Sequence, residues 1–279
     1  MSIEIESKIN TAVDIINSAT AILITSGAGM GVDSGLPDYR SKNGFWKAHP
    51  ILEDLKLTFS MISNPRLFHS EPELLWGVYA YKYNLYSKTI PNDSFSILKK
   101  IGESKRDGYF AFTSNIDGQF TKAGYNEENI LEQHGSIHYL QCLDACTDEI
   151  WPTTNIELNI NEDTLRLSSP LPLCPKCGAL ARPNILMFDD TSWIINRRKK
   201  QEINLQQWMP FHNNIAIIEI GAGTALQTIR HMSESGIGNL IRINPNEFEI
   251  PNNVKGVGIP LRGLDAISLI YEKYQNRNN

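Results

Sequence analysis

"LITSGAGMGVDSGLPDYRS", residues 23–41, begins as an apolar strand and then breaks into a loop in which Gly27, Gly29 and Gly31 fall within five residues. Because glycine lacks a Cβ, a sharp turn through these positions can bring backbone N–H groups against a bound phosphate. The stretch therefore predicts a strand that runs into a nucleotide-binding loop. Taken alone, such a glycine cluster is equally compatible with an ordinary tight turn.

The loop does not match the dinucleotide fingerprint of hydride-transfer enzymes. Counted from Gly27, the third glycine of G-x-G-x-x-G falls on Val32. In a second glycine loop, "GAGTAL" at 221–226, the same place is taken by Leu226. No acidic residue stands clearly about 20 positions onward, at the end of a second strand, to hold a ribose. A dehydrogenase is therefore disfavoured.

Composition narrows the classes of function. A chain of 279 residues can bury a sizeable core as one large domain, with or without a small insertion. The net charge of -5 argues against a broad basic surface for nucleic acid. The N-terminal stretch lacks the basic and apolar regions of a signal peptide, and no run of apolar residues is long enough to span a membrane. We expect a cytoplasmic enzyme with no nucleic-acid or membrane partner.

The four cysteines fall in two pairs, Cys142 with Cys146 and Cys174 with Cys177. Two disulfides would be the ordinary interpretation in a small secreted protein, but this chain is neither small nor visibly secreted. Two closely spaced pairs suit one tetrahedral Zn²⁺ held by four thiolates, although the first pair has the looser C-x3-C spacing. With no open coordination position expected, such a zinc is structural.

Strand-like and helix-like segments alternate along the chain. A helical apolar pattern from Ile5 to Ile16 precedes the first strand, and β-rich runs recur at "YFAFTSN", "IAIIEIG" and "LIRIN". This alternation predicts an α/β fold with a mostly parallel sheet covered by helices on both faces. Ligands on such sheets bind at the carboxyl ends of the strands, where "TSNIDG" (113–118) and "GAGTAL" (221–226) stand beside the opening loop. Residues 142–180 show no regular pattern of strands or helices and contain all four cysteines, so we expect them to form a small zinc module inserted into the larger domain.

Seven segments together resemble the sirtuin (Sir2) family, and its bacterial members in particular. They occur in the family's order and near its spacing, over roughly residues 20–265: "GAGMGVDSGLPDYRS", "TSNIDG", "EQHGS", the two cysteine pairs, "ARPNILMF", "IGAGTAL" and "IRIN". The resemblance implies one catalytic domain over residues 1–279, with a Rossmann-like NAD-binding part formed by 20–140 and 182–265. Residues 141–181 would form a small zinc-ribbon domain. An acylated protein substrate would meet NAD, the co-substrate, in the cleft between the two parts.

The resemblance also implies a role for individual residues around NAD. The positions that match the family's motifs are Gly27, Ala28 and Gly29 at the phosphates; Asp38, Tyr39 and Arg40 beside the nicotinamide ribose; Ser114, Asn115 and Asp117 around the ribose and carboxamide; His134 as catalytic base; Gly221, Gly223 and Thr224 in the second phosphate loop; and Asn244 at the adenosine ribose. Ser114 stands where most sirtuins have Gln.

Cleavage of NAD followed by acyl transfer requires residues of these types, whatever family the protein belongs to. Breaking the nicotinamide–ribose bond requires a site that holds the carboxamide, positions C1′ and excludes water. Asp117 can bond the departing amide, Asn115 can orient a ribose hydroxyl or a water, and the imidazole of His134 is suited to deprotonate a ribose hydroxyl near neutral pH. A lone histidine is more often a hydrogen-bonded core residue, but His134 follows "NILEQ" at the expected ligand edge of the sheet.

Two departures leave alternatives open. "FDD" at 188–190 replaces the family's Phe-Gly-Glu, so Asp189 either intrudes on the path of the substrate peptide or caps a turn. Some segments look more like the macrodomain-linked sirtuins, which are ADP-ribosyltransferases and tend to lose the catalytic histidine. Because His134 is retained, we expect a protein lysine deacylase. A sirtuin-type ADP-ribosyltransferase is the first alternative, and an NAD-hydrolysing or NAD-binding defence protein is the second.

Overall fold

The structure is a computed structural model, and it describes residues 2–37, 50–154, 156–209 and 214–278. Within these residues, the strands are β1 Ala21–Ser26, β2 Tyr109–Thr113, β3 Ile130–Glu132, β4 Gly135–Cys142, β5 Ile150–Pro152, β6 Ile160–Asn161, β7 Arg166–Leu167, β8 Ala181–Ile185, β9 Ile215–Ile220, β10 Gly238–Ile243 and β11 Gly256–Ile259. The helices are α1 Ile3–Ser18, α2 Gly29–Val32, α3 Pro50–Asp54, α4 Phe59–Ile62, α5 Leu67–Ser70, α6 Pro72–Lys88, α7 Asp93–Glu103, α8 Gln119–Lys122, α9 Asn196–Trp208, α10 Thr228–Ser233 and α11 Gly263–Asn278.

The larger sheet is parallel throughout and, in the described chain, has six strands in the order β11-β10-β9-β1-β2-β3. The order of its strands reverses beside β1, which is the point where doubly wound sheets bind dinucleotides. The expected α/β fold with a parallel, Rossmann-like sheet is confirmed. Among the described residues, no helix is long and apolar enough to cross a bilayer.

Both faces of this sheet are buried, because alternate side chains of each strand point to opposite sides. On one face, Ile22, Ile24 and Ile218 pack against α1, α7 and α11. On the other face, Leu23 and Ile217 pack in a second cluster with residues of α9 and α10. The sequences of these strands are therefore continuous runs of apolar residues, without the alternation of a half-exposed strand.

A second, antiparallel sheet lies beside the parallel one. Its order is β5-β4-β8, and β4 is continuous with the loop that leaves β3. The long helix α6 packs on this part of the molecule, where Trp76 donates its indole N–H to the backbone oxygen of Ala181 at 2.9 Å. Residues of α6 and of both β4 and β8 share one hydrophobic cluster. The carboxyl edge of the parallel sheet and the antiparallel sheet thus face a common space.

Candidate active site

The candidate residues lie where the parallel strands end. The glycine loop follows β1, residues 114–117 follow β2, His134 follows β3, Gly221 follows β9 and Asn244 follows β10. Because the carboxyl ends of parallel strands meet at one edge of the sheet, the fold brings these five segments together. For four of these segments, all but the one that carries Asn244, the sequence already predicted a place at this edge.

The two glycine loops pack backbone against backbone. The N–H of Gly27 donates to the oxygen of Ile220 at 3.0 Å, and the N–H of Gly29 donates to the oxygen of Gly221 at 3.1 Å. A Cβ built on Gly29 would lie 2.7 Å from Cα of Gly221, and one built on Gly27 would lie 2.6 Å from the Gly221 oxygen. Gly221 itself has a φ of 61°, in the left-handed region. Glycine is therefore required at these three positions by the contact between the loops.

Asn115 and His134 are held by backbone oxygens. The side-chain amide of Asn115 donates to the oxygen of Gly27 at 2.9 Å, which joins the loop after β2 to the loop after β1. Nδ1 of His134 lies 3.1 Å from the backbone oxygen of Ser114. A carbonyl oxygen only accepts, so Nδ1 carries the hydrogen in this contact and Nε2 is the nitrogen that can take up a proton.

Asp117 is a buried carboxylate in the turn between β2 and α8. One carboxyl oxygen accepts a hydrogen bond from the backbone N–H of Gln119 at 3.0 Å. Burial raises the pKa of Asp117 from 3.8 to about 6, and the charge of Glu132 also raises it, while the Gln119 hydrogen bond lowers it. A carboxyl group with a pKa in this range stands out as a candidate for chemistry.

A first cavity of about 250 Å³ brings the catalytic candidates together. Ser114, Asn115, Asp117 and His134 line it, and the remaining lining is mostly apolar and aromatic: Ala28, Leu36, Pro37, Phe59, Ser63, Tyr79, Lys82, Tyr86, Ile116, Ile185, Leu186, Met187, Phe188 and Leu226. A few polar groups converging in an apolar cleft are typical of a small-molecule or peptide side-chain site.

Lys82 also lines this cavity and was not among the residues predicted from the sequence. Its side chain is buried against the rings of Tyr79 and Phe59, with Nζ 5.2 and 5.8 Å from the ring centroids. Burial lowers the pKa of Lys82 to about 8. One signal was present in the sequence. Lys82 falls on the buried face of α6, at helical spacing from Leu75, Val78 and Tyr79.

A second cavity of about 470 Å³ lies on the other side of Ala28 and Leu226, which line both cavities. Gly29, Gly221, Gly223, Thr224 and Asn244 line it. The backbone N–H and the hydroxyl of Thr224 both donate to the carboxylate of Glu247, each at 2.8 Å. A carboxylate already bound to these donors indicates that the end of the loop accepts anions.

Asn244 supports the same loop. Its side-chain amide donates to the oxygen of Ala222 at 3.0 Å, and its carbonyl accepts from the N–H groups of Asn246 and Glu247. In this structure the side chain therefore holds the turn after β10 against the second glycine loop, beside the second cavity.

The two aspartates of "FDD" differ in environment. Asp190 forms a fully buried ion pair with Arg182 at 2.8 Å and accepts from the N–H of Met187, so it fixes the turn after β8. Asp189 has a φ of 54°, in the left-handed region, and its carboxylate accepts from the side chain of Asn64 at 3.3 Å. Asp189 follows Phe188, which lines the first cavity.

The four cysteines converge at the end of the antiparallel sheet. Their sulfurs all lie within 4.8 Å of one another, with 3.7 Å between Cys142 and Cys177 and between Cys146 and Cys174. A tetrahedral zinc with Zn–S bonds of about 2.3 Å requires about 3.8 Å between sulfurs, whereas a disulfide requires about 2.0 Å. All four residues are described, and none is in a disulfide. The cluster fits a structural zinc, as the spacing predicted.

The predicted residues Asp38, Tyr39 and Arg40 lie outside the described residues. The other predicted NAD contacts fall into two groups. Ser114, Asn115, Asp117 and His134 line the first cavity, whereas Gly29, Gly221, Gly223, Thr224 and Asn244 line the second. Ala28 borders both. Gly27 lies in the loop just before Ala28.

Known proteins resemble the chain in both sequence and fold. A family model described as "Sir2 family" matches residues 27–208. An NAD-dependent protein deacylase of Aquifex aeolicus is 27% identical over 229 residues, which cover 82% of this chain and 85% of that protein. An NAD-dependent protein deacetylase of Clostridium perfringens is 30% identical over 187 residues, 66% of this chain and 68% of that protein. The crystal structure of a Sir2 homolog–NAD complex superposes with a TM-score of 0.72 at 19% identity, covering 98% of this chain and 95% of the other.

Proposed function

The chain belongs to the Sir2 family, and from this premise we propose that it is an NAD-dependent protein lysine deacylase, which cleaves nicotinamide from NAD and transfers the acyl group of a lysine to ADP-ribose. The observation that carries the proposal is the pair of adjoining cavities. One is lined by the glycine loops at the switch point of the sheet, and the other by Asn115, Asp117 and His134.

The second cavity suits the ADP-ribose part of NAD. The backbone N–H and the hydroxyl of Thr224 supply anion donors at the end of the second glycine loop, and a diphosphate would replace the carboxylate of Glu247 on them. Nicotinamide and its ribose would then pass Ala28 into the first cavity. In the same proposal, the segment 141–181 is a zinc module between the two NAD-binding parts, 20–140 and 182–265.

Asp117 and Asn115 would act on the nicotinamide end. With a pKa of about 6, Asp117 is mostly ionised at neutral pH, and its carboxylate can accept hydrogen bonds from the carboxamide N–H groups. Asn115 is anchored through its amide nitrogen to Gly27, which leaves its carbonyl oxygen to orient a ribose hydroxyl or a water. The apolar wall of the cavity excludes water from the C1′ centre.

His134 would act after nicotinamide has left. Its Nδ1–H donates to the Ser114 oxygen, so Nε2 is the basic nitrogen and can take the proton of a ribose hydroxyl. Once the acyl oxygen of the lysine has displaced nicotinamide at C1′, the deprotonated ribose hydroxyl attacks the acyl carbon. Water then completes release of the lysine amine, and the acyl group stays on ADP-ribose. The backbone contact fixes the ring in the tautomer that deprotonating the hydroxyl requires.

Activity is tested with NAD and a panel of acyl-lysine peptides, following nicotinamide release, O-acyl-ADP-ribose and ADP-ribose on protein. The panel includes acyl chains that end in a carboxylate, since Lys82 lines the cavity. His134→Ala should lower deacylation by about 10²-fold or more, the scale of a lost general base, while exchange of labelled nicotinamide stays measurable. His231→Ala, at an exposed histidine of α10, is the matched control and should retain full activity.

A protein ADP-ribosyltransferase is the alternative, because "TSNIDGQF" and "IEIGAGTALQTIRH" resemble the macrodomain-linked sirtuins. In that reaction the acceptor side chain supplies the nucleophile, and the ribose hydroxyl need not attack. If the wild type deacylates no peptide, and His134→Ala labels protein with ADP-ribose as well as the wild type does, the transferase replaces the deacylase.

A further inference from the structure

His138 lies on β4, in the antiparallel sheet, and contacts the turn that carries Asp117. Its Nε2 is 3.0 Å from the backbone oxygen of Asp117. Its ring also packs on Gly118, where a Cβ would lie 2.6 Å from the ring carbon Cδ2. Gly118 has a φ of 69°, so the chain reverses directly beneath the imidazole.

The other neighbours of His138 hold it in place. The ring of Tyr83, on α6, lies 5.6 Å from the imidazole centroid at a tilt of 58°, and its hydroxyl donates to the oxygen of Thr153 at 2.8 Å. The N–H of Thr153 donates in turn to the oxygen of His138 at 2.8 Å. Next along β4, the N–H of Ile137 donates to the oxygen of Ile116 at 3.1 Å. The turn is thus clamped by the antiparallel sheet at two successive residues.

We propose that His138 is a positioning residue that fixes the Asp117 turn, so that the antiparallel sheet controls how the carboxylate meets the nicotinamide carboxamide. This role rests on the proposed function, because it concerns the nicotinamide end of NAD. A carbonyl oxygen only accepts, so Nε2 donates to it, and losing this donor removes the side-chain bond to the turn. The effect falls on the nicotinamide end alone, since the second cavity is built from other strands.

The same strand connects the cysteine cluster to the first cavity. β4 begins directly after His134, carries His138 at its middle and ends at the zinc ligand Cys142. β4 pairs with β8 at both of its ends and with β5 from Tyr139 to Gln141. At His138 itself, between these pairings, the backbone is held by the N–H of Thr153.

Three variants test the role. His138→Phe keeps a ring on Gly118 and Tyr83 but removes the donor, and His138→Gln returns an N–H near the position of Nε2. His231→Phe, the same substitution at the exposed histidine of α10, is the matched control and should keep wild-type values in every measurement. For each protein we would measure KM for NAD and for the acyl peptide, the inhibition constant of nicotinamide, the Kd of ADP-ribose and the zinc content.

We expect His138→Phe to raise KM for NAD and the inhibition constant of nicotinamide about fivefold, the scale of one hydrogen bond. The KM of the peptide, the Kd of ADP-ribose and the zinc content should stay at wild-type values. His138→Gln should restore the KM for NAD and the inhibition constant of nicotinamide to within about twofold of the wild type. Three results would overturn the role. His138→Phe could keep the wild-type KM for NAD and inhibition constant of nicotinamide, or it could weaken every measured property equally. In the third, His138→Gln would show the same values as His138→Phe. If the wild type neither turns over NAD nor binds ADP-ribose, the proposed function fails instead, and the role fails with it.

Discussion

Replacing Asp117 by asparagine should change how the stability of the protein depends on pH. Asp117 is 8% exposed, and burial of its carboxyl group, assisted by the charge of Glu132, raises its pKa from 3.8 to about 6. An asparagine of nearly the same shape keeps the acceptor for the Gln119 N–H but cannot ionise. The comparison therefore isolates the cost of holding a negative charge at this position.

The sign follows from which state binds the proton more tightly. Between pH 4 and 6 the folded protein keeps the Asp117 proton while the unfolded chain has lost it, so the free energy of unfolding falls as the pH rises. One pKa unit corresponds to about 1.4 kcal/mol, so the whole effect is about 3 kcal/mol. Of this, about 1 kcal/mol falls between pH 5 and 7.

Urea unfolding of the zinc-loaded protein at several pH values between 5 and 7.5 measures the effect. The advantage of Asp117→Asn over the wild type should grow by about 1 kcal/mol from pH 5 to 7. Asp163→Asn, at an exposed carboxylate, controls for the loss of one negative charge and should show no such trend. A stability difference between Asp117→Asn and the wild type that stays constant across this range would refute the assignment of a raised pKa to Asp117.

The remaining predictions concern the zinc cluster and the turn after β8. Protein purified without chelators should hold one zinc per chain, and Cys146→Ser should lose it and destabilise the fold by about 4 kcal/mol or more, whereas Asp144→Ser should not. Metal analysis and denaturation check this, and disulfides in place of zinc would contradict it. Asp189→Gly removes a Cβ and a charge from the residue next to Phe188, which lines the first cavity, and should raise turnover on acetyl-lysine peptides severalfold because the substrate peptide no longer meets them. Asp189→Asn keeps the contact with Asn64 but removes the charge. A higher turnover in both variants would attribute the effect to the charge of Asp189. Unchanged turnover in both would leave Asp189 with a turn-capping role alone.

The parallel sheet was predictable from sequence because its strands are buried on both faces. Runs such as "AILIT" and "IAIIEIG" are apolar without interruption, and each ends in a polar or glycine-rich loop. Parallel strands put their carboxyl ends on one edge, so the order of the motifs along the chain was enough to bring Asn115, Asp117 and His134 together. The cysteine spacing was similarly informative, since thiolates at two pairs of positions leave few chemical interpretations.

The lining of the first cavity was less predictable. Lys82 sits in a helix whose other inward residues are apolar, and only its place on that face distinguishes it from a surface lysine. His138 lies in the middle of β4 and is partly exposed. Its contact with the backbone of Asp117 depends on how the antiparallel sheet packs against the loop after β2, which no local sequence pattern encodes. Such contacts between sequence-distant elements follow from packing rather than from propensity.

The glycines of the two loops meet two different requirements, and only one of them concerns the ligand. A Cβ on Gly29 would collide with Gly221, so a substitution there pushes the loops apart whether or not a phosphate approaches. A Cβ on Gly223 meets nothing closer than the Glu247 carboxylate at 3.5 Å, an ordinary contact. Gly223→Ala should therefore leave the free energy of unfolding within about 0.5 kcal/mol of the wild type. If the backbone at Gly223 approaches a phosphate, its NAD affinity by calorimetry should fall at least about tenfold, because the methyl group occupies the path of the ligand. Wild-type affinity in a normally folded Gly223→Ala protein would remove residue 223 from the phosphate site.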